Sequence, residues 1–378
     1  MSFDVYLVSG GKRLRCGYTT GTCAALAAGA ACRMLLGGGS AAEYTVTTPK
    51  GLSVTAPIEL LTRGADEVSC GVRKDGGDDC DATSGALICV RAVKTAQGIA
   101  IDGGEGVGRV TKPGLDQPVG AAAINSTPRR MVGEAVRSEC LRAGYSGGIA
   151  VTVFVPGGEA LAKKTFNPNL GITGGISILG TSGIVQPMSL QALIDTIGVE
   201  LRVAAASGAR RVILVPGNYG AEYLATMGLP DAIPRVTISN FFGDALDLAA
   251  DAGFAEVLIV SHLGKLVKLA GGIMNTHSLC ADCRTELFTA HAALCGAPLP
   301  LLEALSECPT SDACVGLLRD AGLLAPVMAR LLERIQFHLE RRARGAFRVG
   351  AVTFSREYGA LGATAEGQSI WREWREQA

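Results

Sequence analysis

The chain has no excess charge of either sign: 35 Lys and Arg face 35 Asp and Glu, for a formal net charge of zero. A general nucleic-acid binder needs surplus cations against phosphate, so that class is excluded, while a local basic pocket is not. No tripeptide period accompanies the 50 glycines, which rules out collagen. The opening MSFDVYLVSGGKRLR sets Asp4 ahead of any apolar stretch and has no secretory pattern. The longest apolar helical run, near residues 24–36, contains Arg33 and is expected to be too short to span a bilayer. No repeat with a period of about 20–50 residues marks a solenoid, and no Walker A sequence cradles a phosphate. Neither nucleic acid nor membrane is therefore an expected partner, and a homo-oligomer stays open.

The 378 residues are 48% hydrophobic, enough for two or three domains with true cores. So much glycine beside ordinary apolar content suggests tight turns where backbone approaches a ligand. Twelve cysteines without a secretion signal read as reduced thiols in a cytoplasmic protein, most simply an enzyme.

Two textures divide the chain. Residues 1–165 mix short apolar runs with glycine-rich loops and are expected to form an α+β domain. Gly17-Tyr18-Thr19-Thr20-Gly21-Thr22 leads into an alanine-rich helix over residues 23–36, with Thr19, Thr20 and Thr22 all capable of capping it. Residues 43–48 and 52–56 alternate around Pro49-Lys50-Gly51 as a hairpin would. Further strands are expected at 67–73, 86–93 and 149–155, and a helix at 129–143. Residues 166–345 are expected to form a Rossmann-like parallel α/β domain. Its strands fall at 176–180, 211–215, 235–239 and 256–260, and its helices include 189–207, 221–227 and 243–252. In such sheets ligands lie outside the carboxyl ends of the strands. A helical region then fills 285–344, and residues 346–378 read as a terminal hairpin and tail.

Four motifs suggest chemistry. Gly103-Gly104-Glu105-Gly106-Val107-Gly108 resembles a dinucleotide loop, but Thr111-Lys112-Pro113-Gly114 follows where a helix is required. It reads either as a loop offering N–H groups to an anion or as a structural turn. Residues 74–81, KDGGDDCD, carry four carboxylates: a cation site or a general base (Asp78 the candidate), with a solvated acidic turn favoured by composition. His277, Cys280 and Cys283 stand at i, i+3 and i+6, chemistry that zinc would use, although buried thiols on a helical face explain the spacing better, so no metal site is expected. His262 ends the fourth strand, with Lys265 and Lys268 on one helical face beyond it. It suits a hydrogen-bonding or acid–base role as well as a capping one.

Taken in order, the motifs resemble the CbiD family. They are Arg15-Cys16-Gly17-Tyr18-Thr19-Thr20-Gly21-Thr22-Cys23-Ala24-Ala25, GGEGVGRVTKPG at 103–114, Ala123-Ile124-Asn125 with Pro128-Arg129, NPNLGITGGISILGT at 167–181, Ser239-Asn240-Phe241, His262-Leu263-Gly264-Lys265-Leu266 and Asn275-Thr276-His277-Ser278. Together they run over nearly the whole chain. The acidic loop departs from the pattern, with Cys80 where proline is expected, and Cys280 and Cys283 lie outside it.

The resemblance implies methyl transfer from S-adenosylmethionine to carbon 1 of cobalt-precorrin-5B, giving cobalt-precorrin-6A in anaerobic cobalamin synthesis. The cobalt would be carried by the tetrapyrrole substrate, not by the protein. A sulfonium methyl is already electrophilic, so shaped loops that align the reactants and exclude water suffice. On this reading Gly180, Thr181, Ser182, Gly183, Gly217 and Asn240 at the strand ends hold the cofactor. Thr19, Thr20, Lys112, Arg129, Lys265 and Lys268 contact the substrate, whose carboxylates suit arginine forks and ammonium groups; Arg13, Arg15 and Arg130 are further candidates. Catalytic groups are not fixed beyond His262 and Asp78. The end of the strand at 211–215 lacks the usual ribose-binding acid, and the first acid after it is Glu222. A tetrapyrrole carrier without chemistry is the competing class. An ATP-dependent ligase suffers from the missing phosphate loop.

Overall fold

A computed structural model describes residues 3–9, 11–37 and 39–377. The chain is mixed α/β and divides into two compact units, Met1–Leu190 and Gln191–Ala378. The expected boundary at 165/166 therefore moves. Residues beyond it pair backward into the first unit: Ile172–Thr173 with Arg109–Val110, Gly175–Ile176 with Gly106–Val107, and Ile184–Val185 with Gly17–Tyr18. The apolar run at 176–180 is consequently no strand of the parallel sheet.

In the first unit the helix Thr20–Gly37 is buried on almost every side, because Ala, Gly and Cys leave room for neighbours at all angles. By length and composition it could cross a membrane, contrary to the expectation that it is too short, but 83% of it is buried as a core helix. Thr19 is the cap, its hydroxyl accepting the Thr22 N–H at 3.3 Å. The helix shares one core with the helix Ser126–Arg142 and with a five-stranded mixed sheet. That sheet runs in the order Glu59–Arg63, Glu67–Arg73, Leu87–Thr95, Gly148–Phe154, Ile99–Gly103, with only the last pair parallel. The hairpin forms as expected, between Glu43–Thr47 and Ser53–Pro57. Its Tyr44 ring lies against Gly29, where any Cβ would collide with it. Behind that ring, Glu139 accepts from Tyr44 Oη (2.8 Å), Arg33 Nη2 (2.8 Å) and Arg142 Nε (2.7 Å). Burial pushes the Glu139 carboxyl up, and these three donors outweigh it, so its pKa ends below the usual value.

The second unit is built on a sheet ordered Arg235–Thr237, Arg211–Val215, Glu256–His262, Arg348–Ser355, Gly359–Ala363. The first four strands are parallel and the last is an antiparallel edge. The expected terminal hairpin forms, Arg348–Ser355 with Gly359–Ala363, but it belongs to this sheet, and the helix Ala365–Arg375 that follows covers one of its faces. Val212 and Leu214 face one core with the helices Phe242–Asp251 and Leu324–Ala343. Ile213 and Val215 face the other with the helix Ala365–Arg375. Strands buried on both faces read as continuous apolar runs, which is why 211–215 was legible in the sequence.

Candidate functional site

Numbered along the second unit, the strand order is 2-1-3-4-5, so the chain leaves the carboxyl ends of Arg211–Val215 and Glu256–His262 in opposite directions. At such a reversal a parallel sheet opens a crevice. Here it has a volume of about 800 Å³. Pro216, Gly217, Tyr219 and Glu222 line it after the first of these strands, Asn240 after Arg235–Thr237, and His262, Gly264, Lys265 and Lys268 after the central strand. Thr276, His277, Ser278, Asp282 and Arg284 complete the wall. Of the sequence-expected residues, the structure brings together Gly217, Asn240, His262, Lys265 and Lys268.

Their partners revise the expected roles. Lys265 Nζ donates to the carbonyls of Pro216 (2.8 Å) and Ser239 (3.2 Å), tying together the ends of two neighbouring strands. Burial, with Lys268 nearby, holds its pKa below the ordinary value. Ser239 has φ 51°, a left-handed conformation that costs a non-glycine residue about 1–3 kcal/mol and persists only where neighbours enforce it. Lys268, only 3% exposed, donates to the carbonyls of Thr276 (3.2 Å) and Ala281 (2.8 Å) and lies 3.8 Å from Asp282. Both lysines therefore build the crevice floor, where the sequence suggested open anchors for ligand carboxylates. Asn240 does likewise, its carbonyl accepting the Thr276 N–H and its Oδ1 standing 3.3 Å from Thr276 Oγ1.

His262 Nδ1 accepts the Gly264 N–H at 3.1 Å and caps the turn that follows. The neutral ring thus carries its proton on Nε2, 3.8 Å from Asp312 Oδ2. Burial and the nearby Arg356 lower its pKa despite Asp312, which favours the neutral ring. The ring stands edge-on to Phe354 at 5.7 Å, and Phe354 stacks on Tyr223 at 4.2 Å. In this state His262 presents an N–H donor and no free lone pair, which suits a capping and hydrogen-bonding role better than a base.

The remaining sequence-expected residues lie in the first unit. Gly180, Thr181, Ser182 and Gly183 do not end a strand of the parallel sheet; their loop folds onto the first helix. Gly180 backs onto Thr19, Thr22 Oγ1 donates to the Gly183 carbonyl (2.7 Å), and Lys50 N donates to the Ser182 carbonyl (3.2 Å). Thr20 exchanges hydrogen bonds with the backbone of Ser177 and Leu179. Arg129 gives its guanidinium to the carbonyls of Ile124 (2.8 Å), Ile101 (2.7 Å) and Ala122 (3.4 Å). Arg15 pairs with Asp75 at 2.5 Å, and Arg130 reaches Glu134 at 3.9 Å. Arg13 stacks on Tyr6. Lys112 is exposed, and its stem covers Gly171.

The acidic loop is a lock and not a solvated turn. Asp78 accepts the Arg15 N–H (2.6 Å), Asp79 accepts the Met188 N–H (3.2 Å), and Asp81 pairs with the buried Lys74 at 2.5 Å. Burial pushes the Asp81 carboxyl up, but Lys74 and Thr83 bring it below the usual value. Thr19, Thr20, Lys74, Asp81, Asn167 and Ser177 line a cavity of about 150 Å³ here. The dinucleotide-like motif is a strand end and a short pairing strand, Gly106–Val107, with no helix after it. Residues 276–283 are not helical and Cys280 is exposed, so the helical-face explanation of those cysteines fails. Among the described residues no cluster of His, Cys, Asp or Glu is arranged to hold a metal ion.

Sequence reasoning missed Tyr219, Asp312, Phe354 and Arg356. Tyr219 lines the crevice at a helix start, Asp312 and Phe354 stand beside His262, and Arg356 lies over the Tyr219 ring.

The CbiD family model matches residues 8–187, and the model described as CbiD, C-terminal domain, matches residues 275–365. A protein of Ruminiclostridium cellulolyticum named cobalt-precorrin-5B C(1)-methyltransferase is 46% identical, covering 93% of this chain and 92% of its own. One of the same name from Alkaliphilus metalliredigens is 42% identical over 94% of each chain. One from Salmonella typhimurium is 45% identical over 83% of this chain and 82% of its own. A crystal structure of cobalamin biosynthesis protein (cbiD) from Archaeoglobus fulgidus is 28% identical, with a TM-score of 0.39, covering 70% of this chain and 83% of that one. With family models matched in both units and relatives aligned nearly end to end, the chain belongs to the CbiD family.

Proposed function

We propose that this protein methylates carbon 1 of cobalt-precorrin-5B to give cobalt-precorrin-6A, with S-adenosylmethionine as donor. The observation that carries this reading is the 46% identity, across 93% of the chain, to a protein named for that reaction. The second-unit crevice is the proposed donor site. Its volume lies in the range of about 300–1,000 Å³ usual for small-molecule sites, and it opens where parallel sheets receive nucleotides. Its lining fits the donor chemically: Glu222 is exposed and suits ribose hydroxyls, while Asn240 and His262 add polar groups beside the two lysines of the floor.

When bound, the donor supplies a methyl group already activated by its sulfonium. The chain's own residues then have to align, enclose and hydrogen-bond. His262 donates through Nε2, and Lys265 keeps the strand ends at fixed separation. In the first unit, Lys112 is an exposed expected substrate contact whose ammonium has neither a hydrogen-bond nor an ion-pair partner among the described residues, and it is assigned to a tetrapyrrole carboxylate.

Purified protein given cobalt-precorrin-5B and S-adenosylmethionine should yield product one methyl heavier by mass spectrometry, with the methyl at carbon 1. Ser278→Trp tests the donor site, because Ser278 lines the crevice yet is exposed, so the ring fills the site without entering a core. S-adenosylhomocysteine binding, read by calorimetry, should fall at least about tenfold, a change of about 1.4 kcal/mol. Unchanged binding by the folded variant would move the donor elsewhere.

A further inference from the structure

A ligand carboxylate in the crevice needs a cation that the protein has not already engaged. Lys265 and Lys268 hold backbone carbonyls, and Arg284 is paired with Asp282 at 2.7 Å. Arg356 is different. Its guanidinium carbon lies 4.7 Å over the ring centroid of Tyr219, a crevice-lining residue that is 51% exposed. Among the described residues no carboxylate lies within ion-pair distance of it. It follows Ser355, whose buried hydroxyl accepts the N–H groups of Glu357 (3.0 Å) and Tyr358 (3.2 Å), so the turn presenting Arg356 is fixed at its base. The adjacent Phe354 packs against His262, which fixes the turn relative to the crevice.

We infer that Arg356, held over the Tyr219 ring, is the carboxylate-recognising cation of the crevice. A stacked guanidinium keeps its edge N–H groups free in one plane, the geometry that meets a carboxylate bidentately. Tyr219 limits the rotamers of the long side chain, so less freedom is lost on binding. The inference rests on the crevice being the working site proposed above. Two sources offer the group: the amino-acid end of the methyl donor and the acidic arms of the tetrapyrrole.

The test compares Arg356→Ala with the unaltered protein using S-adenosylhomocysteine, 5′-methylthioadenosine (which lacks the amino-acid carboxylate) and cobalt-precorrin-5B. Loss of a charge-assisted pair should weaken binding by about tenfold or more. If the donor's carboxylate is the partner, S-adenosylhomocysteine weakens while methylthioadenosine does not. If the tetrapyrrole's is, KM for cobalt-precorrin-5B rises and donor binding holds. Either result should fade as ionic strength rises, because the site is exposed, and Arg356→Lys should restore only part of the loss. Donor affinity and tetrapyrrole KM both within twofold of the unaltered protein would overturn the inference. The Ser278→Trp result judges the crevice itself, so the two failures are distinguishable.

Discussion

The two units use their polar residues in opposite ways. In the first, motif-rich loops fold inward: Lys74 meets Asp81, Arg15 meets Asp75, Arg129 meets three carbonyls and the threonines stitch the loop at 179–183 to a helix start. In the second, a sparser set of residues forms a floor that leaves Glu222, Tyr219, Ser278 and Arg356 facing outward. The difference teaches that a dense motif can mark close packing, while an open site can come from strand order with few signature residues.

The largest effect is expected in the first unit. Gly106 has φ 73°, and a Cβ there would be driven into the Val155 carbonyl oxygen. Gly106→Ala should cost more than about 4 kcal/mol, combining strain with a backbone clash, and abolish the unit's cooperative urea transition. Ser278→Ala at the crevice should change stability by less than about 0.5 kcal/mol. Comparable losses at both positions would erase the contrast.

A smaller effect is expected at Glu139, where Arg33 and Arg142 are partly exposed and the pair energy is screened accordingly. Glu139→Gln should cost about 2 kcal/mol, through a lost charge and weakened hydrogen bonds in the core. Its folded pKa lies below the unfolded value, as do those of Asp75 and Asp81. The stability these groups contribute is present above the ordinary carboxylate range, about pH 4, and is lost as pH falls through the lower folded values. Acid titration followed by circular dichroism should show a shallower acid loss in Glu139→Gln than in the unaltered protein. Parallel profiles would remove Glu139 from that account.

A modest change in stability, with a clear change in binding, is expected at Lys265→Met. Removing the tie between the Pro216 and Ser239 carbonyls should cost about 1–2 kcal/mol and weaken S-adenosylhomocysteine binding about tenfold. A full loss of binding affinity for the tetrapyrrole alone would return Lys265 to the role of substrate anchor.

Much of this was readable in advance. The strands at 67–73 and 211–215 follow from local β-rich runs, and the hairpin from its alternation around Pro49-Lys50-Gly51. The resemblance located the family. What could not be read was long-range: that 172–185 pairs back to 17–18 and 106–110, or that the strand at 348–355 adds to the sheet beside 256–262. Local pattern gives an element's type but not its partner. The cations show the same limit. Arg129 and Lys265 were identifiable as charges near glycine-rich turns, yet only coordinates reveal that carbonyls 5 and 49 positions away already occupy them.

Lys265 also gives the second unit a thermodynamic signature. Its ammonium, just beyond the central strand, reaches carbonyls 49 and 26 residues away in the chain, beyond two other strands. Closing those loops is entropically costly until the strands have docked, so the floor is completed late in folding and is lost when the sheet opens. A ligand of the crevice therefore binds only the assembled sheet. At about 100 times its dissociation constant it would raise that unit's unfolding free energy by about 2.7 kcal/mol. A calorimetric scan with S-adenosylhomocysteine thus becomes a way to read site occupancy from heat alone, through whichever transition belongs to residues 191–378.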